Sequence, residues 1–282
     1  MTAADEPEPH LARITVYPVK SLDGLDRDRS TLLPTGGLEL DREYALVDAD
    51  GEYVNGKRER AVHRLDGAFD PDERTLRLSA PDRVERTFQL PEREGGVDDR
   101  DSDDEELTRW LSEYFGYSVS VRHDARGGFP DDTDAAGPTV ISTATIREVA
   151  SWYPSLSVGG TRRRLRANLE IGGVPPFWED RLFADRDRVV SFSVGDATFE
   201  GVNPCQRCVV PSRDPDTGEE TDGFRERFIE KRRETMPPWS GGDWFDHSFR
   251  LMVNTRVGAK SVGSDVAVGD RLTVDDAVPR TA

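Results

Sequence analysis

Apolar residues in this chain come in short runs that alternate with polar ones and stop at turn residues. That pattern is what most restricts the fold. Residues 13–19 (RITVYPV) alternate as a strand does. Residues 38–47 (LELDREYALV) form a second strand region, entered through Gly36-Gly37 and left through Asp48-Ala49-Asp50-Gly51. Shorter strands are expected at 75–78 and 87–90, and two more around Gly195-Asp196 within residues 189–199. The chain closes with strands at 251–257 and 271–274, with a turn at 266–270. Regular short strands separated by turn signals predict a barrel or a sandwich.

Helices are few. Residues 107–115 place Leu107, Trp110, Leu111 and Tyr114 on one helical face. A second helix is expected at 146–152, with Ser142 or Thr143 near its start, and a third at 224–234. Residues 162–171 (RRRLRANLEI) are basic with a strand-like end, and 209–218 read as strand, then turn. Residues 92–106 read as a solvated acidic loop and 127–138 (GGFPDDTDAAGP) as a linker. The fold class is therefore mixed α/β and β-rich, in two parts, residues 8–126 and 127–276.

Charge narrows the partners. The chain has 38 Lys and Arg against 55 Asp and Glu, a formal net charge of −17. Such a surface repels phosphate backbones and anionic membranes, so neither nucleic acid nor a membrane is expected. The basic side is nearly all arginine, with lysine at 20, 57, 231 and 260. An acid-rich, lysine-poor balance suits solubility in concentrated salt, a halophilic reading. The acidic start (MTAADEPEPH) has no apolar run and no stretch approaches a spanning length, which makes the cytoplasm the expected location.

Chemistry concentrates at Cys205 and Cys208, arranged C-Q-R-C. Such a pair can be a redox couple, half of a zinc site, a single thiolate ligand to a soft or high-valent metal, or two small buried hydrophobes. A redox couple favours a helix N-terminus, and here Pro204 precedes and two valines follow. Zinc needs further ligands, and His10, His63, His123 and His247 are not paired at finger spacing.

The wording around the pair goes further. Residues 203–219 (NPCQRCVVPSRDPDTGE) resemble the signature of the MOSC family, and look most like its amidoxime-reducing branch. Residues 16–21 (VYPVKS), the Leu40-Asp41-Arg42 stretch, Arg166-x-Asn168 and a C-terminal VGD are similar to further family motifs, in order along nearly the whole chain. The resemblance implies a MOSC N-terminal β domain followed by a β-barrel-like MOSC domain with short helices. It implies a molybdenum cofactor, molybdopterin carrying molybdenum, with Cys208 as the metal's protein ligand and the catalytic thiolate. Pyridoxal phosphate is not expected. Lys20, Ser21 and Arg42 match positions that anchor the cofactor's phosphate, and donors of these kinds suit it. Arg166 and Asn168, read as alternate strand residues, would face the pterin or phosphate. Ser142 and Thr143 match a position near the cofactor in relatives, or else serve as a helix N-cap.

Arg162, Arg163 and Arg164 have no family match and read as solvated surface. Residues 55–62 lack the proline of the family's pattern there, and Trp178-Glu179-Asp180 with the aromatic loop at 237–247 either wall a substrate cleft or pack at the surface. The implied activity is an oxidoreductase acting on N-hydroxylated or N-oxide-type small molecules. With no further cysteines after residue 208 and no G-x-G-x-x-G, electrons would come from a separate ferredoxin or flavoprotein. The alternative is a sulfur carrier or cofactor-sulfuration module holding a persulfide on Cys208.

Overall fold

The computed structural model describes residues 8–90, 103–240 and 247–280. The N-terminal elements are β1 (His10–Val16), β2 (Leu25–Arg27), β3 (Arg29–Thr31), β4 (Tyr44–Asp48), β5 (Asp66–Asp70), β6 (Thr75–Ala80), β7 (Arg83–Gln89), α1 (Asp103–Phe115) and β8 (Val119–His123). The C-terminal elements are β9 (Val140–Ser142), α2 (Thr143–Ser151), α3 (Val158–Leu165), β10 (Leu169–Gly172), β11 (Arg188–Val194), β12 (Ala197–Gln206), α4 (Phe224–Thr235), β13 (Arg250–Val257), β14 (Asp265–Ala267) and β15 (Leu272–Pro279). The protein is thus strand-rich and mixed α/β, as the spacing of turn signals predicts.

Eight strands form the large sheet, in the order β15-β11-β12-β13-β9-β10-β1-β2. All neighbours are antiparallel except β9 and β10, which run parallel and are connected through α2 and α3. Strands β1 and β2 come from the N-terminal part, so the sheet crosses the 126/127 division. Its core crosses too: Leu11, Ile14 and Val16 pack with Val140, Leu169, Phe192, Phe199 and Val253. A second core joins the small sheet β5-β6-β7, the β4-β8 pair and the apolar face of α1. Leu107 is buried there with Trp110 and Leu111, three and four residues after it, as the helix period requires. A third core lies under α2, α3 and α4, where Phe224 and Phe228 meet Ile146, Trp152 and Phe249.

Three local expectations change. Residues 38–42 turn instead of extending, because Leu40 and Arg42 adopt left-handed backbone (φ 66° and 56°), and β4 begins only at Tyr44. Residues 158–165 are helical; Ser157 caps the start, Arg166 ends the helix in the left-handed region, and the strand-like end of 162–171 begins only at Leu169, in β10. Arg166 and Asn168 therefore do not alternate along a strand. Residues 209–218 form a short 3-10 turn and a loop in place of a strand. The expected acidic loop at 92–106 falls largely outside the described residues, and α1 already begins at Asp103. Residues 241–246 of the aromatic loop also lie outside them. Among the described residues no helix is long and apolar enough to cross a membrane.

Candidate functional site

One end of the large sheet meets the second core at a cleft of about 780 Å³. Its floor begins where β1 leaves the sheet. Segment 17–20 runs beside segment 42–44: Arg42 N–H donates to the Tyr17 carbonyl (2.8 Å), Tyr44 N–H to Pro18 (2.9 Å) and Lys20 N–H to Tyr44 (2.7 Å). Loop 127–138 crosses next to them, with Phe129 N–H donating to the Arg42 carbonyl at 2.8 Å. Gly128 permits that crossing. Its φ is +63°, and a Cβ there would stand 2.6 Å from the Arg42 oxygen. On the far side, α3 supplies Arg162, Arg163 and Arg164, and the end of β12 supplies Cys205, followed by Arg207 and Cys208.

The cleft inverts the charge of the chain. Ten lysines and arginines line it against five aspartates, in a protein with a formal net charge of −17. A concave, low-dielectric wall with an excess of positive charge focuses the field on an anion. Lys20 and Arg42 are nearly buried, with side chains 9% and 12% exposed. Burial pushes the Lys20 ammonium down from its ordinary value, against the pull of Asp131. Burial also disfavours the Arg42 charge, but Asp41 and Asp131 overcome it and raise its pKa. Tyr17 lies between guanidinium groups, Arg166 at 4.0 Å and Arg42 at 5.6 Å from the ring centroid. Burial raises the Tyr17 hydroxyl to about 12 despite these cations, so it stays protonated.

Lys20, Ser21, Arg42, Arg166, Asn168 and Cys208 all line this one cleft. Asn168 does so through a structural role. Its Oδ1 accepts from the Thr139 N–H and hydroxyl (3.1 Å each) and its Nδ2 donates to Thr15 (3.2 Å), tying β1 to the β9 entry. Arg166 donates to the Leu22 carbonyl at 2.7 Å. Ser142 and Thr143 are not part of the lining. Ser142 caps α2, accepting from Thr145 N–H at 2.9 Å, which is the N-cap alternative; Thr143 opens onto a separate, smaller recess.

Several lining residues were not read from the sequence as site residues. Of the arginines expected as solvated surface, Arg163 is exposed, Arg162 is half-buried and Arg164 is buried. Arg164 is 4% exposed and donates to the Pro211 carbonyl and to Asp214, under the D-P-D-T-G turn. Arg162 pairs with buried Glu170, and Arg163 with Asp23 and Asp216. A run of three arginines in an acidic chain was the available signal. Arg213 donates to the Gly56 carbonyl and so fastens the 203–219 loop to segment 55–57. His63, near Arg213, has its pKa lowered by burial and then by the surrounding arginines. Three buried guanidinium nitrogens on the lining, Nε of Arg164, Arg207 and Arg213, have no partner among the described residues.

The two cysteines are free and half-buried on the same wall, and they differ. Arg207 Nη1 donates to Cys205 Sγ at 3.3 Å and its Nη2 to the Leu165 carbonyl at 2.9 Å. Cys208 has no such hydrogen bond among the described residues. Nor, among those residues, do three His, Cys, Asp or Glu side chains group as a protein-only metal site.

The fold and site together define a strand-rich protein with a cationic, thiol-bearing cleft at the junction of its cores. Residues 8–118 match the model of the MOSC N-terminal beta barrel domain, and residues 138–273 that of the MOSC domain. The chain belongs to the MOSC family. It is 26% identical over 228 residues to a molybdenum cofactor sulfurase of Drosophila grimshawi, covering 73% of this chain and 28% of that protein. Molybdenum cofactor sulfurases of rice, Oryza sativa subsp. japonica, and of Caenorhabditis elegans are 27% and 25% identical, over 74% and 75% of this chain and 29% and 30% of their own lengths. The chain spans less than a third of each of these relatives.

Proposed function

We propose that the cleft binds the molybdenum cofactor and that Cys208 presents its thiol to it in cofactor sulfuration. The observation that carries this reading is the excess of cations in the cleft of a strongly acidic chain, with two free thiols on one wall. The residues suit such a group. Lys20 and Arg42 are a point charge and a planar fork for its phosphate, and Ser21 adds a hydroxyl. Arg166 over Tyr17 offers a flat cationic face, and unpartnered guanidinium nitrogens remain for further acceptors. When bound, the cofactor supplies the molybdenum and the dithiolene sulfurs.

The sulfurase relatives favour sulfur handling. In that role Cys208 holds a persulfide charged by a separate sulfane-sulfur donor, while Arg207 keeps Cys205 hydrogen-bonded beside it. A second reading has a specific motif behind it. Residues 203–219 resemble the amidoxime-reducing branch, in which Cys208 would be the metal ligand of an oxidoreductase for N-hydroxylated small molecules, fed by a ferredoxin or flavoprotein. Purified chain separates the two. Sulfur handling predicts sulfane sulfur on Cys208, lost in Cys208→Ser and kept in Cys205→Ser. The reductase predicts molybdenum and pterin near one per chain, and amidoxime reduction with an artificial donor that Cys208→Ser abolishes. Equal loss in both cysteine variants would refute both readings in favour of a disulfide couple.

A further inference from the structure

The two cations assigned to the phosphate already hold an anion, and it belongs to this chain. Lys20 Nζ donates to the Phe129 carbonyl (2.8 Å), the Pro130 carbonyl (3.3 Å) and Asp131 Oδ1 (2.8 Å). An ammonium has three donors, and all three are engaged by one loop segment. The other carboxylate oxygen of Asp131 stands 3.5 Å from Arg42 Nε. The cations are nearly buried, but the Asp131 side chain is 58% exposed. The carboxylate therefore covers the site from its open side. Neighbouring charge holds it ionised: burial works against this, but Arg42, Lys20 and Lys57 keep its pKa far below the ordinary carboxylate range. Arg42 is also paired with nearly buried Asp41, but Lys57 and Arg166 add their charge nearby, so the site stays net positive with both carboxylates in place.

We infer that Asp131 is a tethered stand-in for the incoming anion, filling the Lys20–Arg42 site and reserving it for phosphate-type dianions. This rests on the reading of Lys20 and Arg42 as the phosphate site. A small monoanion gains nothing by displacing Asp131. It replaces one negative charge with one, and it competes with a carboxylate that the chain supplies at about millimolar effective concentration or more. A dianion brings a second charge to cations held in a low dielectric, where each charge counts for more than in water. Its entry must turn the Asp131 carboxylate away from Lys20 and Arg42, so binding and displacement of that side chain are one event. Exclusion of monoanions would matter most in a salt-rich solution.

Titration calorimetry of the full chain with inorganic phosphate, and separately with formate, tests this. Asp131→Asn keeps the shape and removes the charge; Asp131→Ser is the second variant, and near-UV circular dichroism establishes that each is folded. Wild type should bind phosphate and not formate. Both variants should bind phosphate roughly tenfold tighter and acquire measurable formate binding. Lys20→Met should lose phosphate in either background. Unchanged phosphate affinity and no formate binding in both Asp131 variants, with phosphate still lost in Lys20→Met, would overturn the stand-in and leave the phosphate site intact. Absence of phosphate binding from wild type and variants alike would overturn the phosphate site and the stand-in together.

Discussion

Glu179→Gln should remove a pH-dependent weakness from the fold. Glu179 is fully buried between α2 and the sheet. Its Oε2 accepts from the Ser142 N–H (3.2 Å) and the Thr145 hydroxyl (2.9 Å), and its Oε1 has no partner among the described residues. Burial, then the charge of Asp180, raises its pKa from 4.5 to about 7. A carboxyl with a raised folded pKa binds more protons folded than unfolded between those two values. Its contribution is fully present below about pH 4.5, declines as pH rises, and is gone above about pH 7. At about 1.4 kcal/mol per pH unit, the difference between 4.5 and about 7 amounts to roughly 3 kcal/mol. The glutamine carbonyl can take the two donors now given to Oε2, so the variant carries no titration at this position. Any cost of its amide at the unpartnered position is the same at every pH. Guanidinium unfolding of wild type and Glu179→Gln across this range is the assay. Relative to the variant, wild type should lose roughly 3 kcal/mol between about pH 4 and pH 8. A difference that stays constant within about 0.5 kcal/mol would refute the account of Glu179 as a proton-holding buried acid.

Other perturbations probe the supports of the site. Arg232 is fully buried on α4, donates to both oxygens of Asp180 (3.0 and 3.1 Å) and to the Arg250 carbonyl (2.9 Å). Arg232→Met should cost about 3–5 kcal/mol in denaturant unfolding, because it strands the Asp180 carboxylate; a loss below about 1 kcal/mol would show that solvent reaches the pair. Gly218 has φ +73°, and a Cβ there would stand 2.7 Å from the Arg60 carbonyl oxygen. Gly218→Ala should therefore cost about 1–3 kcal/mol in thermal unfolding, with the D-P-D-T-G turn displaced from segment 60–63. An unchanged melting temperature would mean that the turn does not depend on that conformation.

Local sequence carried much of this protein. The β12 hairpin around Gly195-Asp196, the apolar stripe of α1 and the helix at 224–235 all follow from periodicity and turn chemistry, which act within a few residues. Helix α4 shows where that reading stops. Phe224, Phe228 and Arg232 share its buried face, and the arginine is inside only because Asp180 and the Arg250 carbonyl meet it there. The stretch at 162–166 misled for a related reason. Arg164 looks like solvated surface until α3 sets it against the loop after β12.

The sequence by itself determined the strand-rich class, the thiol pair and the family motifs, because each is written in residues that are neighbours along the chain. The tertiary structure decided what those residues face. Arg163 reaches Asp23 across 140 positions, Arg164 reaches Asp214 across 50, and Lys20 is capped by Asp131 from a loop more than a hundred residues away. A buried charge is tolerable only beside its partner, and those partners are distant in sequence. An acidic chain can therefore build a cationic cleft whose assembly only the tertiary structure shows.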